Sequence, residues 1–133
     1  LAEEKGITLA SEGEAQMTGS DTLIYRLLFN LAENAIRYGA PSSTVQISTH
    51  DEGDRVLLRV RDQGSGIPEQ YQTSIFQPFF RVDKSRSRAY GGVGLGLALV
   101  WEIAALHGGS IEVEESSESG TTMLVTLPAR ALG

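Results

Sequence analysis

The sequence predicts an α/β domain in which hairpin strands form a sheet against two long helices. Three observations carry that prediction. Residues 22–38 repeat their apolar side chains at helical spacing. Two strand pairs, 44–50 with 55–62 and 110–114 with 121–127, flank turn-forming residues. After the glycines at 91–96, an almost wholly apolar run without proline continues to about His107 and reads as the second helix. With 133 residues, 41% hydrophobic and 21% charged, the chain is expected to be one domain, 1–133.

Composition excludes several classes of function. A net charge of −6 argues against general nucleic-acid or membrane-surface binding, which needs a broad basic face. There is no cysteine, hence no disulfide or thiolate metal site, and the separated His50 and His107 do not make a zinc site. No apolar run reaches the roughly 18 to 20 residues of a membrane span, and no signal peptide is visible. Because the first residue is Leu, the chain is read as a piece of a longer polypeptide.

Taken in order, residues 7–10 and 15–18 are expected to form a hairpin around the turn-prone Ser11-Glu12-Gly13-Glu14. Gly19-Ser20-Asp21 offers N-cap side chains for the first helix, about Thr22 to Tyr38, which Gly39 and Pro41 stop. At about 100° per residue, Ile24, Leu27, Leu28, Leu31 and Ala35 share one apolar face, with Phe29 and Ile36 on a second. Arg26, Asn30, Glu33, Asn34 and Arg37 form the remaining polar stripe. Asn30 and Asn34 lie one turn apart, so their side-chain oxygens can converge on one ligand. A plain solvent-facing stripe would also accommodate them.

Asp51-Glu52-Gly53-Asp54 joins the next two strands, in which Val45, Ile47 and Thr49, and then Val56, Leu58 and Val60, fall on alternate positions and are each expected to form one buried face. The second of these strands ends in Asp62-Gln63-Gly64-Ser65-Gly66-Ile67-Pro68. A carboxylate at a strand end, followed by two glycines, leaves room for a flat ligand against backbone and an acceptor for an exocyclic amine. A simple turn uses the same residues. A short helix is expected over Pro68 to Phe76, with Phe76, Phe79 and Phe80 as packing anchors.

Arg81, Lys84, Arg86 and Arg88 then fall within eight residues opposed only by Asp83, and Gly91, Gly92, Gly94 and Gly96 within six, directly before the second helix. Glycine backbone can turn successive N–H groups inward, and a helix start favours an anion, so this reads as a phosphate site with a lid. The same pattern would suit an ordinary surface loop. Trp101 is expected in the core, and His107 is expected to cap the last carbonyls of the helix before Gly108-Gly109. The loop 116–120 joins the final two strands.

Four boxes thus occur in one order: NLAENAIRY at 30–38, DQGSGIP at 62–68, FQPFFRVDKSRSR at 76–88 and GGVGLGL at 91–97. Together, over roughly residues 7–128, they resemble the catalytic ATP-binding domain of a bacterial sensor histidine kinase. That domain lies within the superfamily of gyrase, heat-shock chaperone, histidine kinase and mismatch-repair ATPases. The resemblance implies an α/β sandwich of the Bergerat type. Its sheet is mixed but mostly antiparallel, three helices pack on one face, and ATP sits under a flexible lid at about 78–93.

It further implies that Asn34, with Asn30 beside it, ligates Mg²⁺, and that Arg37 and Tyr38 flank the nucleotide. Asp62 would read the adenine amine, with Gly64, Gly66 and Ile67 admitting the base. Arg81 and Arg86 would reach the γ-phosphate, making them catalytic together with Asn34. Gly92, Val93, Gly94, Leu95, Gly96 and Leu97 would form the phosphate loop, Val93 standing where the family often has Thr. Thr121 or Thr122 would contact the adenine end.

The activity implied is transfer of the γ-phosphoryl group of ATP to a histidine on a separate helical dimerisation and phosphoacceptor domain, in two-component signalling to a response regulator. The domain would be cytoplasmic and monomeric as this piece, in a membrane-anchored, homodimeric parent. Two alternatives are a self-contained ATPase switch and a regulatory module that only binds nucleotide. The ATPase relatives carry a Glu base where this chain has Asn30, and Glu33 points about 60° away.

Overall fold

The computed structural model describes residues 6–78 and 96–130. Among these residues five strands form one sheet: β1 (Thr8–Glu12), β2 (Thr44–Asp51), β3 (Arg55–Asp62), β4 (Ser110–Ser117) and β5 (Gly120–Pro128). Their spatial order is β1-β2-β3-β5-β4, parallel between β1 and β2 and antiparallel elsewhere. Among the described residues two α-helices, α1 (Asp21–Tyr38) and α2 (Gly96–Leu106), pack together on one face. The mixed, mostly antiparallel α/β sandwich is the fold expected. Its third helical piece, expected over 68–76, consists of two single 3₁₀ turns at Glu69–Tyr71 and Ser74–Phe76, which seat Ile75 and Phe76 in the core.

The parallel pair corrects the reading of the first residues. No hairpin joins 7–10 to 15–18. β1 runs on to Glu12 and aligns Thr8 with Thr44, while the Thr18 N–H donates to the Ala129 carbonyl at 2.8 Å. Parallel strands need a crossover, and α1 supplies it. The other hairpins form as read, with β4 and β5 extending further, to Ser117 and from Gly120.

α1 starts where its cap residues place it. The Ser20 hydroxyl accepts from the Leu23 N–H at 3.2 Å, and Asp21 lies in the first turn, where its charge meets the positive helix end. The Gly39 N–H closes the last turn on the Ala35 carbonyl. Leu27, Leu31, Ala35 and Ile36 are buried, against Val45 of β2, Val56, Leu58 and Val60 of β3, and Met123, Val125 and Leu127 of β5. Each large apolar side chain so enclosed contributes about 1.5–3 kcal/mol.

Two aromatic residues depart from expectation. Phe29, placed on a second apolar face, is 54% exposed and stacks on Tyr25 one turn earlier. Trp101 is half exposed rather than core. One edge of it leans on Phe76, with centroids 5.4 Å apart, because Val100, Ile103 and Ala104 already fill the buried side of α2.

His107 caps α2 as expected and does more. Its Nδ1 lies 2.8 Å from the Ile103 carbonyl, and its Nε2 accepts the N–H of Ser20 at 3.1 Å, joining the end of α2 to the start of α1. The opposite sheet face carries Arg59, whose guanidinium makes a two-pronged contact of 2.7 and 3.0 Å with Glu114. That contact lies at an irregularity in β4. Val113 pairs with Met123, but Glu115 pairs with Thr122, so Glu114 is an extra residue.

Candidate functional site

The site begins at the end of β3. Alternation along the strand puts Asp62 on the same face as Val56, Leu58 and Val60, and the carboxylate is only 6% exposed. Burial pushes its pKa up. Hydrogen bonds from the Gly64 and Thr121 backbone N–H groups, and the nearby Arg61 charge, pull the other way and offset only part of the shift. The Gly64 bond measures 2.9 Å. An anionic acceptor is thus held at a fixed place with little water around it.

The turn after Asp62 is built for close approach. A Cβ on Gly64 would stand 2.2 Å from the Tyr38 carbonyl oxygen, so the end of α1 lies directly on this loop. Gly66 has φ +87°, a conformation side chains disfavour, and a Cβ there would meet the Ser117 carbonyl at 2.2 Å. The Ile67 N–H then donates to the Ser116 hydroxyl at 2.7 Å, and Ser116 shares a 2.8 Å hydrogen bond with the Thr121 hydroxyl. A hollow of about 420 Å³ lies alongside, lined by Ser65, Gly66, Ile67, Pro68 and Ser117.

Sheet register separates the two threonines. Thr121 pairs with Asp62 and is 3% exposed on its face, whereas Thr122 pairs with Arg61 and turns to the other side. Ser116 was not foreseen. An unbroken alternation from the inward Val113 would point it outward, and only the extra residue at Glu114 brings it in. Residues 116–120 read as a loop, and nothing in their composition signals that irregularity.

The other end of the site lies on the polar stripe of α1. The Asn30 Nδ2 donates to the Arg26 carbonyl at 2.8 Å, and since a carbonyl takes only the NH₂ end, the orientation of the amide is fixed. Its Oδ1 faces the start of α2, 3.3 Å from where a Cβ of Gly96 would be. Asn34, partly buried, follows one turn on. Glu33 is engaged by Arg37 at 2.7 Å. From Asn30 to Tyr38 the stripe runs about 12 Å at the helical rise per residue, linking the start of α2 to the Asp62 loop.

Leu97 packs partly buried on the core, and Tyr38 is 54% exposed beyond its backbone contact. Arg81, Arg86, Gly92, Val93, Gly94 and Leu95 lie outside the described residues, as do Phe79, Phe80 and most of the expected lid. Among the described residues no cluster of His, Asp or Glu could hold a metal, and no helix is long and apolar enough to cross a membrane. A larger hollow of about 590 Å³ on the far side of the sheet, next to Ser48, His50 and Arg59, is remote from these groups.

Residues 19–131 match the family described as histidine kinase-, DNA gyrase B-, and HSP90-like ATPase. The chain belongs to this family. Among similar members of the ATPase family is the circadian input-output histidine kinase CikA of Synechococcus elongatus, 43% identical over 107 residues, covering 80% of this chain and 14% of that protein. Another is the sensor-like histidine kinase SenX3 of Mycobacterium tuberculosis, 44% identical over 114 residues, with 86% and 28% covered. The chain therefore spans less than a third of the length of these relatives.

Solved structures agree on the architecture. Full-length ShkA in complex with AMPPNP superposes with a TM-score of 0.83 at 26% identity, covering 99% of this chain and 27% of that one. The nucleotide-free catalytic domain of the histidine kinase ThkA gives 0.80 at 27% identity, covering 98% and 85%.

Proposed function

We propose that this chain is the catalytic ATP-binding domain, 1–133, of a longer two-component sensor kinase, with a lid at about 78–93. It binds Mg-ATP and passes the γ-phosphoryl group to a histidine on a separate helical dimerisation and phosphoacceptor domain. The observation that carries this reading is the alignment along α1: a buried, acceptor-only Asp62 at one end and a fixed amide oxygen facing a helix start at the other.

Asp62 takes the exocyclic amine of adenine, Gly64 and Gly66 admit the flat base, and Thr121 stands beside it. At the phosphate end, the unpaired N–H groups and dipole of α2 stabilise negative charge. Asn30 and Asn34 offer the neutral oxygen ligands that suit Mg²⁺, an ion that keeps several waters and takes few protein groups. Bound there, Mg²⁺ would neutralise charge on the phosphate oxygens.

Arg81 and Arg86 are assigned to the γ-phosphoryl oxygens, with Gly92, Val93, Gly94, Leu95, Gly96 and Leu97 cradling the chain of phosphates and Arg37 and Tyr38 flanking it. An imidazole nitrogen of the acceptor attacks in line, the N–P bond forming as the bond to the β-phosphate oxygen breaks and ADP leaves. The acceptor domain passes the group on to a response regulator. The domain acts on the cytoplasmic side as a monomeric unit of a membrane-anchored, homodimeric parent.

The ion pair of Glu33 with Arg37 favours this reading over a self-contained ATPase, because it engages the stripe's only carboxylate, which would otherwise serve as a base for water. Calorimetry with ADP and a non-hydrolysable ATP analogue, with and without Mg²⁺ and against GTP, tests the reading. Micromolar, adenine-selective, Mg²⁺-assisted binding is expected, with Asn34→Ala losing the Mg²⁺-dependent part. Turnover of many ATP per second by the isolated chain would overturn the kinase assignment in favour of an ATPase switch.

A further inference from the structure

Ser116 reaches the Asp62 face only through the extra residue in β4, which Arg59 grips from the other side of the sheet. There its hydroxyl has two partners, the Ile67 N–H at 2.7 Å and the Thr121 hydroxyl at 2.8 Å. A serine hydroxyl holds one proton and two acceptor positions. The Ile67 N–H takes one acceptor position, so the remaining question is which hydroxyl donates in the Ser116–Thr121 bond.

Thr121 is 3% exposed and sits across from Asp62, whose ionised carboxylate only accepts. If Thr121 donated to Ser116, its lone pairs would stand beside those of the carboxylate, an unfavourable arrangement in a dry site. If Ser116 donates to Thr121, the Thr121 proton remains available to a ligand. Side by side, Asp62 then accepts and Thr121 donates.

We propose that Ser116 is a specificity-determining residue: by donating to Thr121 it makes that hydroxyl a donor to the unprotonated ring nitrogen next to the amine that Asp62 accepts. Adenine presents that pair, amine and bare N1, whereas guanine presents an oxygen and an N1–H. Ser116 need not touch the nucleotide. It acts through Thr121 and through the Ile67 backbone, which it holds in place. The proposal rests on the nucleotide reading above.

The test measures binding of ADP, GDP and purine riboside 5′-diphosphate, which keeps the bare N1 but lacks the amine. Wild type, Ser116→Ala, Ser116→Thr and Thr121→Val are compared by calorimetry and competition, with melting temperature followed alongside. One net hydrogen bond corresponds to roughly a two- to tenfold change in affinity. Ser116→Ala is expected to weaken ADP and the purine riboside diphosphate by that factor while sparing GDP, and Ser116→Thr to keep the wild-type ratio.

Thr121→Val should match Ser116→Ala, and the double variant should lose no more than either, because the two residues act as one unit. If Ser116→Ala fails to fold, Ser116→Cys, similar in size but only a weak donor, takes its place and is expected to weaken ADP and the purine riboside diphosphate while sparing GDP. An unchanged ADP/GDP ratio, or equal weakening of all three ligands, overturns the assignment of Ser116 alone. Wild type that binds none of them overturns the nucleotide reading beneath it.

Discussion

Asp62 holds a charge that its surroundings resist. Its folded pKa lies above the unfolded value because burial outweighs the two N–H bonds and Arg61. Protonation therefore favours the native state. The contribution is fully present below the ordinary carboxylate pKa of about 3.9 and is lost as pH rises through the raised value. Asp62→Asn, isosteric and uncharged, is expected to melt above wild type at pH 7, with the gap narrowing towards pH 4, while adenine selectivity falls. Thermal melts across that range check the stability part, and ADP and GDP titrations the rest. At the same loop, Gly64→Ala would press a methyl group on the Tyr38 carbonyl, which is backbone and yields little. It is expected to cost about 1–3 kcal/mol in urea unfolding. Both residues were legible in the sequence through their place in the ordered set of four boxes, since a carboxylate and glycines after a strand serve a simple turn equally well. Ser116 was not legible, because its place depends on one inserted residue in β4 whose only signature is geometric.

The helices α1 and α2 run antiparallel and meet at two points, the Ser20–His107 hydrogen bond at one end and the close approach of Asn30 to Gly96 at the other. Ten residues separate these points on α1 and eleven on α2, or about 15 and 16 Å at the helical rise. His107 thereby sets the register that brings Asn30 opposite the helix start. The fit is tight, since a Cβ on Gly19 would lie 2.8 Å from the His107 ring. His107→Ala should cost about 1 kcal/mol of stability, the net worth of a hydrogen bond, and weaken Mg²⁺-dependent nucleotide binding. An unchanged affinity in the folded variant would detach this contact from the site. The ends of α1 were readable to within a residue because caps are local chemistry. β1 was misread because its partner lies beyond the whole of α1, and Phe29 and Trp101 because a helical projection marks faces without saying which are covered.

For the molecule as a whole, strand periodicity gave the hairpins and their buried faces, and the four boxes gave the architecture. Spatial order was beyond periodicity. That β5 lies between β3 and β4, and β1 beside β2, follows from pairings far apart in the chain. A chain ending at Ser119 should lose ADP binding and cooperative unfolding together, as measured by calorimetry and thermal melting. Retained binding would contradict the dependence of Asp62 on Thr121. The interior position of β5, between β3 and β4, also bears on biosynthesis. A nascent chain emerging from the ribosome presents Val56, Leu58 and Val60 on a strand that has β2 on one side but whose partner on the other side has yet to be translated. Such late, long-range pairings are slow and leave sheet edges open to aggregation. Until β5 has emerged, one edge of β3 stays open and Asp62 lacks the strand that carries Thr121.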